Sequence, residues 1–189
     1  MIKVAITGNI ASGKSQVEQY ISKNGYAVFD TDIIAHDILD DMTDFYGYDV
    51  FTDGKIDRKK LGELVFSDNN IKKKLEEIIH PLVKDKILQL FEQHKSDKFV
   101  FISVPLLYEA GFESLFDKVL LITINPKLQL ERLMIRNNFT EEQAKSRIGS
   151  QISQDYKINN ADYIISNNGT LEDLYLSINK FLAQLGSVQ

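Results

Sequence analysis

The sequence predicts an α/β fold, a parallel sheet covered on both faces by helices, and three observations carry that reading. Five short and nearly continuous apolar runs, at 4–7, 26–29, 99–104, 119–124 and 163–166, have the composition of strands buried on both sides. Helical patterns lie between them, as crossovers between parallel strands require. The stretch Gly8-Asn9-Ile10-Ala11-Ser12-Gly13-Lys14-Ser15 fits G-x-x-x-x-G-K-[ST] between a strand and a helix, which is the context a phosphate-binding loop needs.

In chain order, residues 2–7 read as the first strand, and a helix beginning near Ser15 places Val17, Tyr20 and Ile21 on one face. The second strand, Tyr26-Ala27-Val28-Phe29, is followed by a segment too long for one crossover helix. That segment holds the patterns Ile71, Leu75, Ile78, Ile79 and then Leu82, Val83, Ile87, Leu90, so a helical insertion is predicted over about 31–97. Pro81 is expected to divide the two patterns into separate helices, because it donates no backbone hydrogen bond and suits a first turn; His80 then sits at the junction.

After the fourth strand, Pro126 opens a helix with Leu128, Leu130, Leu133 and Met134 that ends near Asn137-Asn138. Thr140-Glu141-Glu142-Gln143 has capping-box spacing and begins a polar helix, read as solvated or mobile. The last helix, capped by Thr170, aligns Leu171, Leu174, Ile178, Phe181, Leu182 and Leu185, and Gly186 is placed to end it. No linker-like tract interrupts the chain. One domain is expected, with a core at 1–30, 98–125 and 158–189, the insertion at about 31–97 and a small lid at about 126–157.

At 189 residues the chain can bury a substantial core, and 43% hydrophobic with 26% charged residues excludes a disordered or fibrous class. Its apolar runs are too short to span a bilayer, and no charged-then-apolar leader pattern precedes Gly8, so a cytoplasmic protein with no membrane partner is expected. The absence of cysteine excludes disulfides, thiolate metal sites and a cysteine nucleophile. A net charge of −5 argues against a nucleic-acid partner, so a phosphate-rich substrate must be met by a local basic cluster.

In the phosphate loop, backbone N–H groups turn toward a polyphosphate, Lys14 adds positive charge near the β and γ phosphates, and the Ser15 hydroxyl suits Mg²⁺. Asp30 and Asp32 directly follow the second strand, and ligands of open parallel sheets lie beyond such strand ends. A carboxylate there can accept or orient the proton of an attacking hydroxyl; the alternatives are a turn residue and a helix cap. Arg132 and Arg136, four apart, can direct two guanidinium groups at one polyanion, as a lid would, or can form a solvated face paired with Glu131 and Glu141. In the insertion, Arg58 and His80 are the candidate contacts for a second, phosphate-bearing substrate, against the readings of a solvated charge run and a buried structural histidine. The third strand contains no acid where many phosphate-loop enzymes place an Asp near Mg²⁺, and Glu109 beyond it is either a metal contact or structural.

With these pieces placed, the chain resembles the dephospho-coenzyme A kinases from end to end. The resemblance rests on residues 7–15, Asp30-Thr31-Asp32, Ile56-Asp57-Arg58, Val65-Phe66, His80-Pro81, Pro105-Leu106-Leu107, the stretch 129–136, Arg147-Ile148 with Gln151, Lys157, and Asn167-Asn168-Gly169. It implies a P-loop kinase with a nucleotide-binding core, a helical coenzyme-A-binding insertion and a lid. It also implies the reaction: ATP with Mg²⁺ phosphorylates the ribose 3′-hydroxyl of dephospho-coenzyme A, giving coenzyme A and ADP. The resemblance assigns Asp32, Lys14, Arg132 and Arg136 to catalysis, and Gly8, Ala11, Ser12, Gly13, Lys14, Ser15, Gln16 and Asn168 to the nucleotide. Asp32, Arg58 and His80 would meet the acceptor, and Ser15 the metal.

Asn9 and Ala11 replace usual glycines, Gln16 a common threonine, and Ser103 an acid carried by some members. Asn9 and Ala11 each add a side chain where the backbone approaches phosphate, so Ala11 is tolerable only if its φ need not be positive; altered nucleotide affinity at most is expected, because Gly8, Gly13, Lys14 and Ser15 stay. The alternatives are another small-molecule kinase, such as a nucleoside monophosphate kinase, and a nucleotide switch. The guanine signature Asn-Lys-x-Asp is absent, since Asn179-Lys180 precedes Phe181-Leu182.

Overall fold

The structure, a computed structural model, describes residues 1–187 apart from the side chain of Phe66. Residues 188–189 of the predicted core segment, and the ring of Phe66, lie outside the described residues. In chain order the elements are β1 (Ile2–Thr7), α1 (Lys14–Lys23), β2 (Ala27–Asp30), α2 (Thr31–Asp40), β3 (Phe51–Thr52) and β4 (Lys55–Ile56). There follow α3 (Arg58–Ser67), α4 (Asn69–Gln93), β5 (Phe99–Ser103), β6 (Lys118–Thr123), α5 (Pro126–Asn137), α6 (Glu141–Gly149), α7 (Gln154–Asn160), β7 (Tyr163–Ser166) and α8 (Leu171–Ser187).

The five apolar runs form one five-stranded parallel sheet of order β2-β5-β1-β6-β7, flanked by helices. β1 is central: Val4 pairs with Phe101 on one side and Lys118 on the other, and Ile6 with Ser103 and Leu120. Val4, Ala5 and Ile6 are fully buried, which is why the run lacks polar alternation. Val4 and Ile6 join Phe101, Leu120 and Ile122 in a core closed by Val17 and Ile21 of α1 and Leu174, Ile178, Phe181 and Leu185 of α8. Each such side chain stabilises the fold by about 1.5–3 kcal/mol on burial.

Local signals set the helix ends. The Asn125 side chain accepts from Lys127 N–H ahead of Pro126, and Asn138 closes α5 at a left-handed φ of 52°. Thr140 and Gln143 form the expected capping box at α6. Thr170 Oγ1 accepts from Asp173 N–H at the start of α8, as expected. Gly186 does not end α8, which runs on to Ser187, and Leu171 lies off the stripe at 49% exposure.

Contacts divide the described residues into two compact units, 1–29 with 94–187, and 30–93. The second has its own core, with Phe45, Val50, Ile56, Leu61 and Ile71 at its centre. Here one expectation is corrected: Pro81 lies inside a single 25-residue helix, α4. Proline removes the hydrogen bond to the carbonyl four residues back, at a cost of about 3 kcal/mol. The apolar stripe runs unbroken past it, with Ile79 buried before and Val83 after, and their burial together with packing on α2 and α3 exceeds that cost. His80 is therefore a mid-helix residue. The small β3–β4 hairpin turns on Asp53 and Gly54, both at positive φ, the pairing a two-residue turn prefers. Among the described residues no helix is long and apolar enough to cross a membrane.

Candidate active site

The loop between β1 and α1 bends through two left-handed residues, Ala11 at φ 63° and Gly13 at φ 91°. Ser12 N–H donates to Asn9 O and Gln16 N–H to Gly13 O, tightening the turn. The N–H groups of Lys14 and Ser15 open α1, where a first turn has no acceptors within the helix, the kind of site an anion can satisfy. Buried polar atoms line the same loop without a protein partner: Thr7 Oγ1, Asn9 Oδ1 and Ser12 Oγ. Ser15 and Gln16 are exposed.

Both motif glycines are sterically required. A Cβ on Gly8 would lie 2.7 Å from the carbonyl oxygen of Ile122 and 2.6 Å from Ser12 Oγ. A Cβ on Gly13 would strike the Asn167 side chain, whose Nδ2 donates to Ser12 O at 2.8 Å. Arg132 belongs to the same corner, its Nη1 4.0 Å from that Cβ position. Arg136 is exposed and its Nε donates to Asn137 Oδ1. Asn168 holds neighbouring backbone and side chain instead, accepting from Asn125 N–H and donating to Ser166 Oγ.

The positive φ of Ala11 fails the condition under which an alanine fits here without strain. Its methyl costs about 1–2 kcal/mol there, a strain of the kind found at ligand-binding loops. Ala11→Gly is expected to raise stability by about 1 kcal/mol, read as a higher urea midpoint at unchanged slope. A variant no more stable than the parent would contradict the strain.

Long-range side-chain bonds fix the loop's outer edge. Ile10 N–H donates to Gln151 Oε1 at 2.7 Å, Asn9 Nδ2 to Ile152 O at 3.1 Å, and Gln129 Nε2 to Ile10 O at 2.8 Å. Asn9, a departure from the family pattern, is thus a strut, and it is 6% exposed. Glu109 supports the same segment: its Oε1 accepts from Ile152 N–H and lies 3.0 Å from the fully buried Lys157 ammonium. That is the structural role among the two read for it. Next to it, Tyr108 donates to Asn160 O, and burial pushes its phenol up to about 12. A folded pKa above the unfolded value means its contribution is complete below about pH 10 and is lost as pH rises toward the folded value. Tyr108→Phe should therefore lose less stability than the parent between those limits in urea titrations, and equal losses would contradict the linkage.

At the inner edge, Lys14 Nζ donates to Glu18 Oε1 at 2.8 Å and to Ser103 Oγ at 2.6 Å, while Ser103 Oγ donates to Glu18 Oε1 at 2.6 Å. Glu18 carried no signal in the sequence reading.

Within the unit 30–93, Asp30 caps α2 by accepting from Asp32 N–H at 2.8 Å, which matches its helix-cap reading. Asp32 and His80 line one cavity of about 240 Å³ between α2 and α4. Its polar edge is Asp32, His36, Glu76 and His80, and its apolar side Ala35, Leu39, Leu75 and Ile79. A pocket with an apolar wall and a few convergent polar groups suits part of a ligand, such as a sugar or a heterocycle. Arg58 does not line it. Its Nη2 donates to Asp40 Oδ2 at 2.6 Å, joining the end of α2 to the start of α3, and that hydrogen bond with the guanidinium charge holds the Asp40 carboxyl below the usual range.

The dephospho-CoA kinase family model matches residues 2–173, which includes the phosphate loop, all of the unit 30–93 and the other unit up to the start of α8. The chain belongs to the dephospho-CoA kinase family. A dephospho-CoA kinase from Lactobacillus johnsonii is 41% identical over 97% of this chain and 98% of its own. Among solved structures, TT1252 from Thermus thermophilus is 32% identical with a TM-score of 0.83, covering 97% of both chains. The dephospho-CoA kinase from Campylobacter jejuni is 34% identical with a TM-score of 0.76, covering 97% of this chain and 96% of its own. Membership of the dephospho-CoA kinase family makes the chain a kinase.

Proposed function

We propose that this chain transfers the γ-phosphoryl group of ATP to the ribose 3′-hydroxyl of dephospho-coenzyme A, releasing coenzyme A and ADP. The observation that carries the reading is the family match across residues 2–173. The loop geometry supports the donor half: the first-turn amides of α1 and the Lys14 ammonium are arranged for a polyphosphate. Arg132 beside Gly13 adds a planar donor for charge spread over the transferring oxygens, and Arg136, one turn on, closes over the nucleotide as part of a lid at about 126–157.

The acceptor half rests on the pocket that Asp32 shares with His80. Asp32 takes or orients the proton of the attacking hydroxyl, His80 binds the acceptor, and Arg58 exchanges Asp40 for a phosphate of the substrate. Mg²⁺ fits the donor set at the loop, where the exposed Ser15 hydroxyl opens α1 amid buried polar oxygens, and when bound it offsets the negative charge of the phosphates. The place of action is the cytoplasm.

ADP release measured with a panel of acceptors tests the reading. Dephospho-coenzyme A is expected to accelerate it and nucleoside monophosphates to leave it at the hydrolytic background. Acceleration by a nucleoside monophosphate alone would transfer the chain to another kinase specificity, and slow release indifferent to every acceptor would make it a switch.

A further inference from the structure

β5 reaches the phosphate loop with Phe99-Val100-Phe101-Ile102-Ser103 and brings no carboxylate there. Phosphate-loop enzymes commonly keep an acid at that point to complete the metal's surroundings. In this chain a carboxylate arrives at the same place from a different element. Glu18 lies on α1, three residues after Ser15 and four after Lys14, so all three share one helix face. Its Oε1 accepts from the fully buried Ser103 hydroxyl at 2.6 Å and from the Lys14 ammonium at 2.8 Å.

Helix stability does not explain this arrangement. A lysine preceding a glutamate by four residues is the less favourable orientation of such a pair, and on a solvated face it contributes only about 0.2–0.5 kcal/mol. Here the two side chains are 15% and 13% exposed, and the carboxylate is held by a strand hydroxyl as well. Two groups kept largely from water and fixed by a third are oriented for something other than the helix.

We infer that Glu18, anchored by Ser103, is a positioning residue that supplies the negative charge missing from the end of β5. It holds the Lys14 ammonium toward the phosphates and provides the carboxylate that favours Mg²⁺ beside Ser15. The inference rests on the phosphate loop binding Mg-ATP, as proposed above, and is independent of which acceptor is phosphorylated.

The test is calorimetric binding of a non-hydrolysable ATP analogue over a range of Mg²⁺ concentrations, with steady-state kinetics alongside. Glu18→Gln keeps the size of the side chain and removes its charge. It is expected to raise the Mg²⁺ needed for half-maximal binding by roughly 10- to 100-fold, with a similar loss in kcat. Adding Ser103→Asp to Glu18→Ala returns a carboxylate from the strand side and should restore the Mg²⁺ requirement to within a few-fold of the parent. Parent-like Mg²⁺ dependence of Glu18→Gln would overturn the inference. So would failure of the double variant to recover while melting at the parent's temperature. If the double variant does not fold, the Gln variant alone decides. A parent chain that failed to bind the Mg²⁺–nucleotide analogue at all would remove the phosphate-loop reading and this inference with it.

Discussion

Asp32→Asn is expected to lower kcat by roughly 10²- to 10⁴-fold, the usual contribution of a positioned acid or base, while the KM for Mg-ATP stays near the parent value. Asn preserves the size of the side chain and its capacity to hydrogen-bond in the cavity shared with His80, but it cannot accept a proton. The backbone that carries it is held at the helix start, because Asp32 N–H donates to Asp30 Oδ1 in the first turn of α2. A loss confined to kcat, with nucleotide affinity intact by calorimetry, is the pattern of an interaction made in the transition state. Turnover close to the parent's would remove Asp32 from the chemistry.

Lys14→Ala is expected to reduce kcat/KM for Mg-ATP by roughly 10²- to 10³-fold, as for removal of one donor that meets developing charge. Here the loss should fall on both binding and transfer, because the ammonium faces phosphate before and during reaction. The variant also takes the ammonium from Glu18, 13% exposed in the parent, and leaves its carboxylate the Ser103 hydroxyl. A stability loss of about 1–3 kcal/mol in urea unfolding should accompany the kinetic one. Normal turnover would contradict the phosphate-loop assignment itself.

The strands and the loop were legible because their signals are local. An apolar run buried on both faces, or a glycine pair around a tight turn, is written in a few adjacent residues, and β1, β2, β5, β6 and β7 all fall on the expected runs. Pro81 misled because a local rule met a longer-range one: buried residues of α4 lie on both sides of it, from Ile71 to Phe91, and their burial outweighs one lost backbone bond. The β3–β4 hairpin had a readable sign in Asp53-Gly54, but strands of two residues give no period to recognise. Gly186 met the rule for a helix end, and the helix continued past it.

The site divides in the same way. Gly8, Gly13, Lys14 and Ser15 are a motif, whereas the groups that hold them are set by tertiary contact. Asn167 reaches Ser12 across 155 residues and Gln151 reaches Ile10 across 141, distances over which spacing carries no information. Asn9 and Ala11 were visible only as departures. The fold gives each a meaning, a strut to Ile152 for the first and a left-handed backbone for the second. Asp32, Arg58 and His80 were assigned together to the acceptor; α2 against α4 brings Asp32 and His80 to one cavity, while Arg58 is bonded to Asp40 and does not line it.

The most direct measurement incubates the purified chain with Mg-ATP and dephospho-coenzyme A and follows the acceptor by mass spectrometry. The account predicts a product heavier by one phosphoryl group, with fragments that place it on the adenosine ribose and match authentic coenzyme A. ATP consumed while dephospho-coenzyme A remains unchanged would contradict it.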